Sequence, residues 1–293
     1  MKHFTQLLGK IGGEYWIALV LLVIHVCTIS LPGREVSLAS SNMMTNVIRL
    51  EALPRSPQNA LVLAGSSITG RLYPAYFSPN GPPVVNVGLD GCGVGDALQS
   101  ILDAKVKPSV LLLEINTTAV RDEKVFKTVT DSVSHWKIKA GPALPFLQAK
   151  ERPVDLAYNW LHSKKREGTT TTSQPLAWRD EISSPAPMPL PKDEQGKIAK
   201  FITETSERLA QLKQQGVRIG FVLIPTSFLN NDRHDTVMAI SQQLAKNLSL
   251  PMFDLRRAGG VEKLSWTDGV HLTSSAAKEV VRFLESDVLP RIN

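Results

Sequence analysis

Apolar side chains fall along this chain in three patterns, each predicting a different element. Residues 15–31 form a mainly apolar run without a formally charged side chain, preceded by Gly12-Gly13 and ended by Pro32-Gly33. It predicts one helix, apolar all round, at the short end of membrane-spanning length. Four shorter runs stop at turn or polar residues: 60–64 before Gly65-Ser66-Ser67, 84–87 after Gly81-Pro82-Pro83, 110–115 after Lys107-Pro108, and 217–224 before Pro225. Runs so short and so bounded predict buried strands, and Met252-Phe253-Asp254 predicts a fifth. The third pattern is helical spacing, over 95–106, 193–215, about 235–247 and 274–289. In the second of these the stripe is carried by Ile198, Phe201, Ile202, Leu209 and Leu212. Short apolar strands alternating with helices predict an α/β sandwich built on a parallel sheet.

Two stretches interrupt the alternation. Residues 124–192 are irregular and proline-rich, with Trp136, Trp160, Trp178 and a threonine run at 169–172. Short helices are expected around 145–163 and a mobile loop over 167–174. The region reads as an insertion near the site, either a lid or an excursion without a role. Residues 35–58 read as a juxtamembrane connector with a short helical portion. The expected division is therefore 1–34 for the cytoplasmic N-terminus and anchor, 35–58 for the connector, and 59–293 for the α/β domain with its insertion.

Charge refines the N-terminal reading. Lys2 and Lys10 precede the apolar run, which favours a cytoplasmic N-terminus and an extracytoplasmic body, with Tyr15 and Trp16 suited to the interface. A cleaved signal peptide is the alternative, with small residues at Ser37-Leu38-Ala39, although the apolar core is long for one. A buried core helix is disfavoured by the lack of a polar face. His25 within the run reads as a tolerated polar residue. Over all 293 residues the formal charge is +6, but basic residues are scattered apart from Lys164-Lys165-Arg166. Nucleic-acid binding needs a clustered basic face, so no such partner is expected. Cys27 and Cys92 are the only cysteines and make no disulfide framework. No Cys/His spacing fits zinc, and no metal or cofactor is expected.

Chemistry-bearing residues gather where a parallel sheet binds ligands, beyond the C-terminal strand ends. Ser66-Ser67 follows the first strand, Gly88-Leu89-Asp90-Gly91 the second, and Asn116 the third; Asp268 and His271 precede the last helix. A serine hydroxyl needs a base to take its proton, an imidazole serves near neutral pH, and a carboxylate fixes its tautomer. Preorganised donors must then hold the oxyanion, and the Ser67 N–H, the Gly91 N–H and the Asn116 amide are candidates.

Residues 63–69 (Leu-Ala-Gly-Ser-Ser-Ile-Thr) resemble the first block of the SGNH/GDSL hydrolases, which puts the nucleophile at Ser67 rather than Ser66. Residues 86–91 resemble the second, with Gly91 as a donor, and residues 114–116 the third, with Asn116. Asp268-Gly269-Val270-His271 has the Asp-x-x-His spacing of the fifth. The resemblance covers about 59–120 and 195–290 and implies a flavodoxin-like three-layer sandwich of strand order 2-1-3-4-5. It departs at Ser66, where Asp is common, and at Glu114 and Thr117, where Gly and Asp are usual. Glu114 would oppose the oxyanion if it pointed inward, and is harmless if hydrogen-bonded or turned away.

The first block is also similar to that of membrane-anchored envelope acyl-transfer proteins of the D-alanyl-transfer type. The resemblance thus implies a membrane-anchored serine esterase or O-acyltransferase of envelope glycans, with acetyl the expected acyl group. A transferase would work beside a multispanning membrane-bound O-acyltransferase. A non-catalytic glycan-binding or scaffold module and a lipid esterase are the alternatives. Trp266 is a candidate for stacking on a sugar or for packing the final loop. Cys92 reads as a small buried residue, and His135, His162 and His234 lack an Asp at the −3 position.

Overall fold

The computed structural model describes residues 13–30, 39–116, 123–133, 135–140, 143–166, 176–177, 195–226 and 232–292. Five strands form one parallel sheet: β1 (Leu61–Ser66), β2 (Val84–Leu89), β3 (Val110–Glu114), β4 (Arg218–Leu223) and β5 (Met252–Asp254). Their order is 2-1-3-4-5, the doubly wound flavodoxin-like arrangement that the resemblance implies.

Both faces of the sheet are covered, and strand alternation supplies two cores. Val62, Ala64, Leu111, Leu113, Phe221 and Leu223 face one core, and Leu61, Leu63, Val110, Leu112 and Val222 the other. The first core is closed by α2 (Asn42–Ala52), α3 (Val94–Asp103), α4 (Glu123–Ser132), α7 (Gln195–Gln214) and α8 (Asp232–Leu248). The second is closed by α9 (Ser274–Phe283), with Leu255, Val261, Leu264 and Leu272 from the segments before it. Thr273 caps α9 by accepting from the Ala276 N–H, which fixes where the helix starts.

Residues 42–55 depart from the expected connector. Val47, Leu50 and Leu53 line one side of α2 and its terminal turn and are buried in the first core beside β2. An apolar stripe of three residues is too short to separate a docked helix from a linker by pattern alone. The insertion is also more regular than expected. It contains α4, α5 (His135–Ala140), 3₁₀ turns at Pro145–Leu147 and Ala149–Glu151, and α6 (Pro153–Arg166). Leu176 is buried in the second core, and Ala177 pairs with Gly259 through two backbone hydrogen bonds.

The N-terminal helix α1 covers Gly13–Ile29, and Tyr15, Ile17, residues 19–24 and Val26 are all exposed. Its 17 residues reach about 25 Å at the α-helical rise. Among the described residues, no helix is long and apolar enough to cross a membrane. Lys2, Lys10, Pro32-Gly33, Ser37-Leu38, Thr117, the loop 167–174 and Trp178 lie outside the described residues. So do the side chains of His135, Trp160, His162 and His234.

Candidate active site

Ser67 occupies the turn leaving β1 and His271 the loop before α9, and the fold brings them together across 204 positions of sequence. His271 Nε2 and Ser67 Oγ are 2.8 Å apart, and His271 Nδ1 lies 2.6 Å from Asp268 Oδ2. An ionised carboxylate only accepts, so Nδ1 carries the ring proton and Nε2 presents its lone pair to the serine hydroxyl. Asp268 Oδ1 also accepts from the backbone N–H groups of Val270 (3.1 Å) and His271 (2.8 Å), so one carboxylate sets both loop and ring. Partial burial pushes its carboxyl upward, but the His271 backbone, the imidazole and the Val270 N–H outweigh this and hold it well below the usual carboxylate range. The loop is closed by a Trp266–Leu272 bridge and by the Thr267 N–H donating to the His271 carbonyl at 2.8 Å.

Ser66 is excluded as the nucleophile. It is fully buried, its hydroxyl donates to Glu114 Oε2 at 2.7 Å, and its Oγ accepts from the Ile68 N–H at 3.2 Å. Ser67 is the half-buried neighbour whose hydroxyl reaches the imidazole.

Glu114 lies beneath this turn with no solvent exposure. Its Oε2 accepts from the Ser66 N–H (2.8 Å), the Ser66 hydroxyl and Thr69 Oγ1 (3.2 Å), and its Oε1 from the Asn116 N–H (2.6 Å). Room for it comes from Gly65, where an added Cβ would stand 2.7 Å from the Glu114 side chain. Ser66 and Glu114, two of the places where the resembled pattern fails, are therefore partners in one hydrogen-bonded unit. Burial raises the Glu114 carboxyl above its ordinary value, against the lowering effect of the bonds from Ser66, Asn116 and Thr69.

The expected oxyanion donors sit at the same edge. No described residue accepts from the backbone N–H of Ser67 or of Gly91. Gly91 has φ +77°, the left-handed region in which a side chain is strained, and stands two residues beyond the end of β2. Asn116 is held more tightly than expected. Its Nδ2 donates to the Ile224 carbonyl and its Oδ1 accepts from the Ile224 N–H, both at 2.7 Å, which leaves one Nδ2 hydrogen for a ligand. Trp266 is half-buried, and its indole N–H donates to the Pro225 carbonyl at 3.3 Å. Its polar edge is thus spent on packing the loop.

Two site residues were missed from the sequence. Asn46 of α2 donates to the Asp90 carbonyl (2.8 Å) and accepts from the Asp90 N–H (2.7 Å), which fixes the backbone before Gly91. Arg49, one helical turn on, donates to the carbonyls of Gly88 and Gly70 and lies 3.4 Å from Asp90 Oδ1. The available signal was polar residues interleaved with Val47 and Leu50 on one helix face. Among the described residues no group of His, Cys, Asp and Glu is gathered that could hold a metal.

Fold and geometry together define a doubly wound α/β domain with a Ser–His–Asp relay at the C-terminal edge of its sheet. No protein-family model matches the chain, and no curated protein matches it significantly.

Proposed function

We propose that this protein is a serine esterase or O-acyltransferase of the SGNH type, anchored at a membrane by α1 and acting on an acylated envelope glycan. The observation that carries the reading is the continuous relay from Ser67 Oγ through His271 to Asp268, at 2.8 and 2.6 Å. Ser67 Oγ attacks the acyl carbonyl carbon while its proton passes to His271 Nε2. The Ser67 and Gly91 N–H groups and the remaining Asn116 N–H hold the oxyanion. His271 then returns the proton to the departing alcohol, leaving an acyl-Ser67 ester. Water, or a glycan hydroxyl in a transferase, attacks that ester with His271 again as base. A partner membrane-bound O-acyltransferase is the expected acyl supplier in the transferase case, with acetyl the expected group. The exposed apolar side chains of α1 support the anchor, and the extracytoplasmic orientation rests on Lys2 and Lys10.

Turnover of p-nitrophenyl acetate tests the reading. Ser67→Ala is expected to lower kcat by about 10⁴-fold or more with an unchanged circular dichroism spectrum. Equal rates for the two proteins would overturn it. A non-catalytic glycan-binding module is the second reading, favoured by the tie of the Asn116 amide to Ile224 at both ends. It predicts glycan binding that Ser67→Ala leaves intact and no ester turnover by either protein.

A further inference from the structure

The N-terminal helix does not stand clear of the domain. Its side chains are exposed from Tyr15 to Ile24, and the half-buried ones, His25, Thr28 and Ile29, share one face of its last two turns. The helix packs against the turn Pro145–Leu147 of the insertion, so the contact is made by its C-terminal end. That turn is also packed by α5 and by the turn Ala149–Glu151, which in its place touches α6 and α2. These elements carry every large apolar side chain that is exposed outside α1 among the described residues. They are Trp136 on α5, Leu144 at the turn, Val154 and Leu161 on α6, and Met43 on α2.

On α6 the exposure is patterned. Val154, Ala157 and Leu161 fall at i, i+3 and i+7 and are all exposed. Asp155 is fully buried, and its Oδ1 accepts from the N–H and the hydroxyl of Ser40 at 2.7 and 2.9 Å. A helix docked on a water-soluble domain turns its apolar stripe inward. Here an apolar stripe faces out and a carboxylate faces in. Single apolar side chains on a surface need no explanation, but a group of them gathered around one contact point marks an interaction surface.

Charge falls on the same segment. Residues 135–166 hold seven Lys and Arg against Glu151 and Asp155, a formal +5 out of the chain's +6. Tryptophan and aliphatic side chains interleaved with Lys and Arg on short helices suit the boundary between acyl chains and head groups. Apolar groups enter the boundary there, and the cations meet lipid phosphate. Position selects the bilayer over a protein partner. A helix seated in a membrane brings whatever touches its last turn to the membrane surface, and no spacer separates the end of α1 from this group.

We infer that Trp136, Leu144, Val154 and Leu161 form a bilayer-contact surface. Through it the insertion rests in the head-group region of the outer leaflet and holds the α/β domain in a fixed attitude to the membrane. The inference rests on the reading of α1 as an anchor and is independent of the ester chemistry.

The test uses the full chain, labelled in detergent with an environment-sensitive maleimide fluorophore and reconstituted in nanodiscs of phosphatidylcholine and phosphatidylglycerol. Exposed Cys27 takes the label in the wild type and reports on α1, while buried Cys92 is spared. In a Cys27→Ala background the label is placed by Trp136→Cys, Val154→Cys or Leu161→Cys. Ser286→Cys, exposed on the side of the sheet that α9 covers, is the control. A nitroxide on the lipid acyl chain is expected to quench at least two of the three insertion labels by roughly twofold or more, and the control hardly at all. Quenching at Cys27 but at fewer than two insertion positions would overturn the inference and keep the anchor. Quenching at neither would overturn both, and quenching at the insertion alone would keep this surface and overturn the anchor. Emission shifted to the blue without quenching would mean that a second copy of the chain covers the face, and would overturn the inference as well.

Discussion

Two carboxylates serve the same serine turn from opposite environments. Asp268 is 54% exposed and Glu114 has no exposed surface, yet each is held by several hydrogen bonds. At Asp268 partial burial is the largest single influence, but the bonds to His271 and Val270 together outweigh it and the carboxyl is held down. At Glu114 four bonds do not match complete burial and the carboxyl is pushed up. Hydrogen-bond number alone therefore does not set the direction in which a carboxyl's pKa moves; its access to water weighs against it. The exposed one orients the His271 ring, while the buried one serves as a fixed knot joining β1, β3 and the turn that follows β1.

The contrast predicts a rate effect on one side and a stability effect on the other. Asp268→Asn has the largest expected consequence. An asparagine can still accept from the Val270 and His271 N–H groups, but its NH₂ then faces Nδ1 and imposes the wrong tautomer. A fall in kcat of about 10³-fold or more is expected, with KM little changed. Steady-state kinetics on an activated acetyl ester measures it, and a loss of under about tenfold would remove Asp268 from the relay.

Glu114→Ala should act the other way round, mainly on stability. It strands the Ser66 and Asn116 N–H groups and leaves a void beside Gly65, costing about 3 kcal/mol in denaturant unfolding. Glu114→Gln keeps the volume and one acceptor and should cost about 1 kcal/mol. If Glu114→Ala unfolded at the wild-type midpoint, the knot would have no structural weight.

The smaller effects are sharper still, because they differ in sign with pH. Asp268 has a depressed folded value, so its stabilisation is present above the ordinary 3.8 and lost as pH falls below it. Glu114 has a raised folded value, so its contribution is present below the ordinary 4.5 and lost as pH rises from there. Unfolding free energy against pH should therefore lose slope on the acid side in Asp268→Asn and on the higher side in Glu114→Gln. Parallel curves for both variants and the wild type would void the contrast.

The same division separates what the sequence made legible from what it hid. Ser67, Gly91, Asn116, Asp268 and His271 stand at strand ends or in a short loop, where local pattern and parallel-sheet geometry locate them. The strand runs were readable because both faces of a parallel strand are buried. Asn46, Arg49 and the inward course of Glu114 depend on which side of the sheet a helix docks and which glycine faces which strand. Those are tertiary facts, set by Val47 and Leu50 packing beside β2 and by Gly65 leaving space. Asn46→Ala should lower kcat about tenfold by loosening Asp90 and Gly91, with Asn46→Asp, which keeps the acceptor for the Asp90 N–H, recovering part of it.

The most direct measurement is peptide-level mass spectrometry of the folded protein after exposure to a fluorophosphonate. A single adduct on the peptide containing Ser67, absent in Ser67→Ala and formed much more slowly in His271→Gln, is the predicted result. A folded protein that stays unmodified at Ser67, or one labelled there at the same rate without His271, would contradict a nucleophile activated by that imidazole.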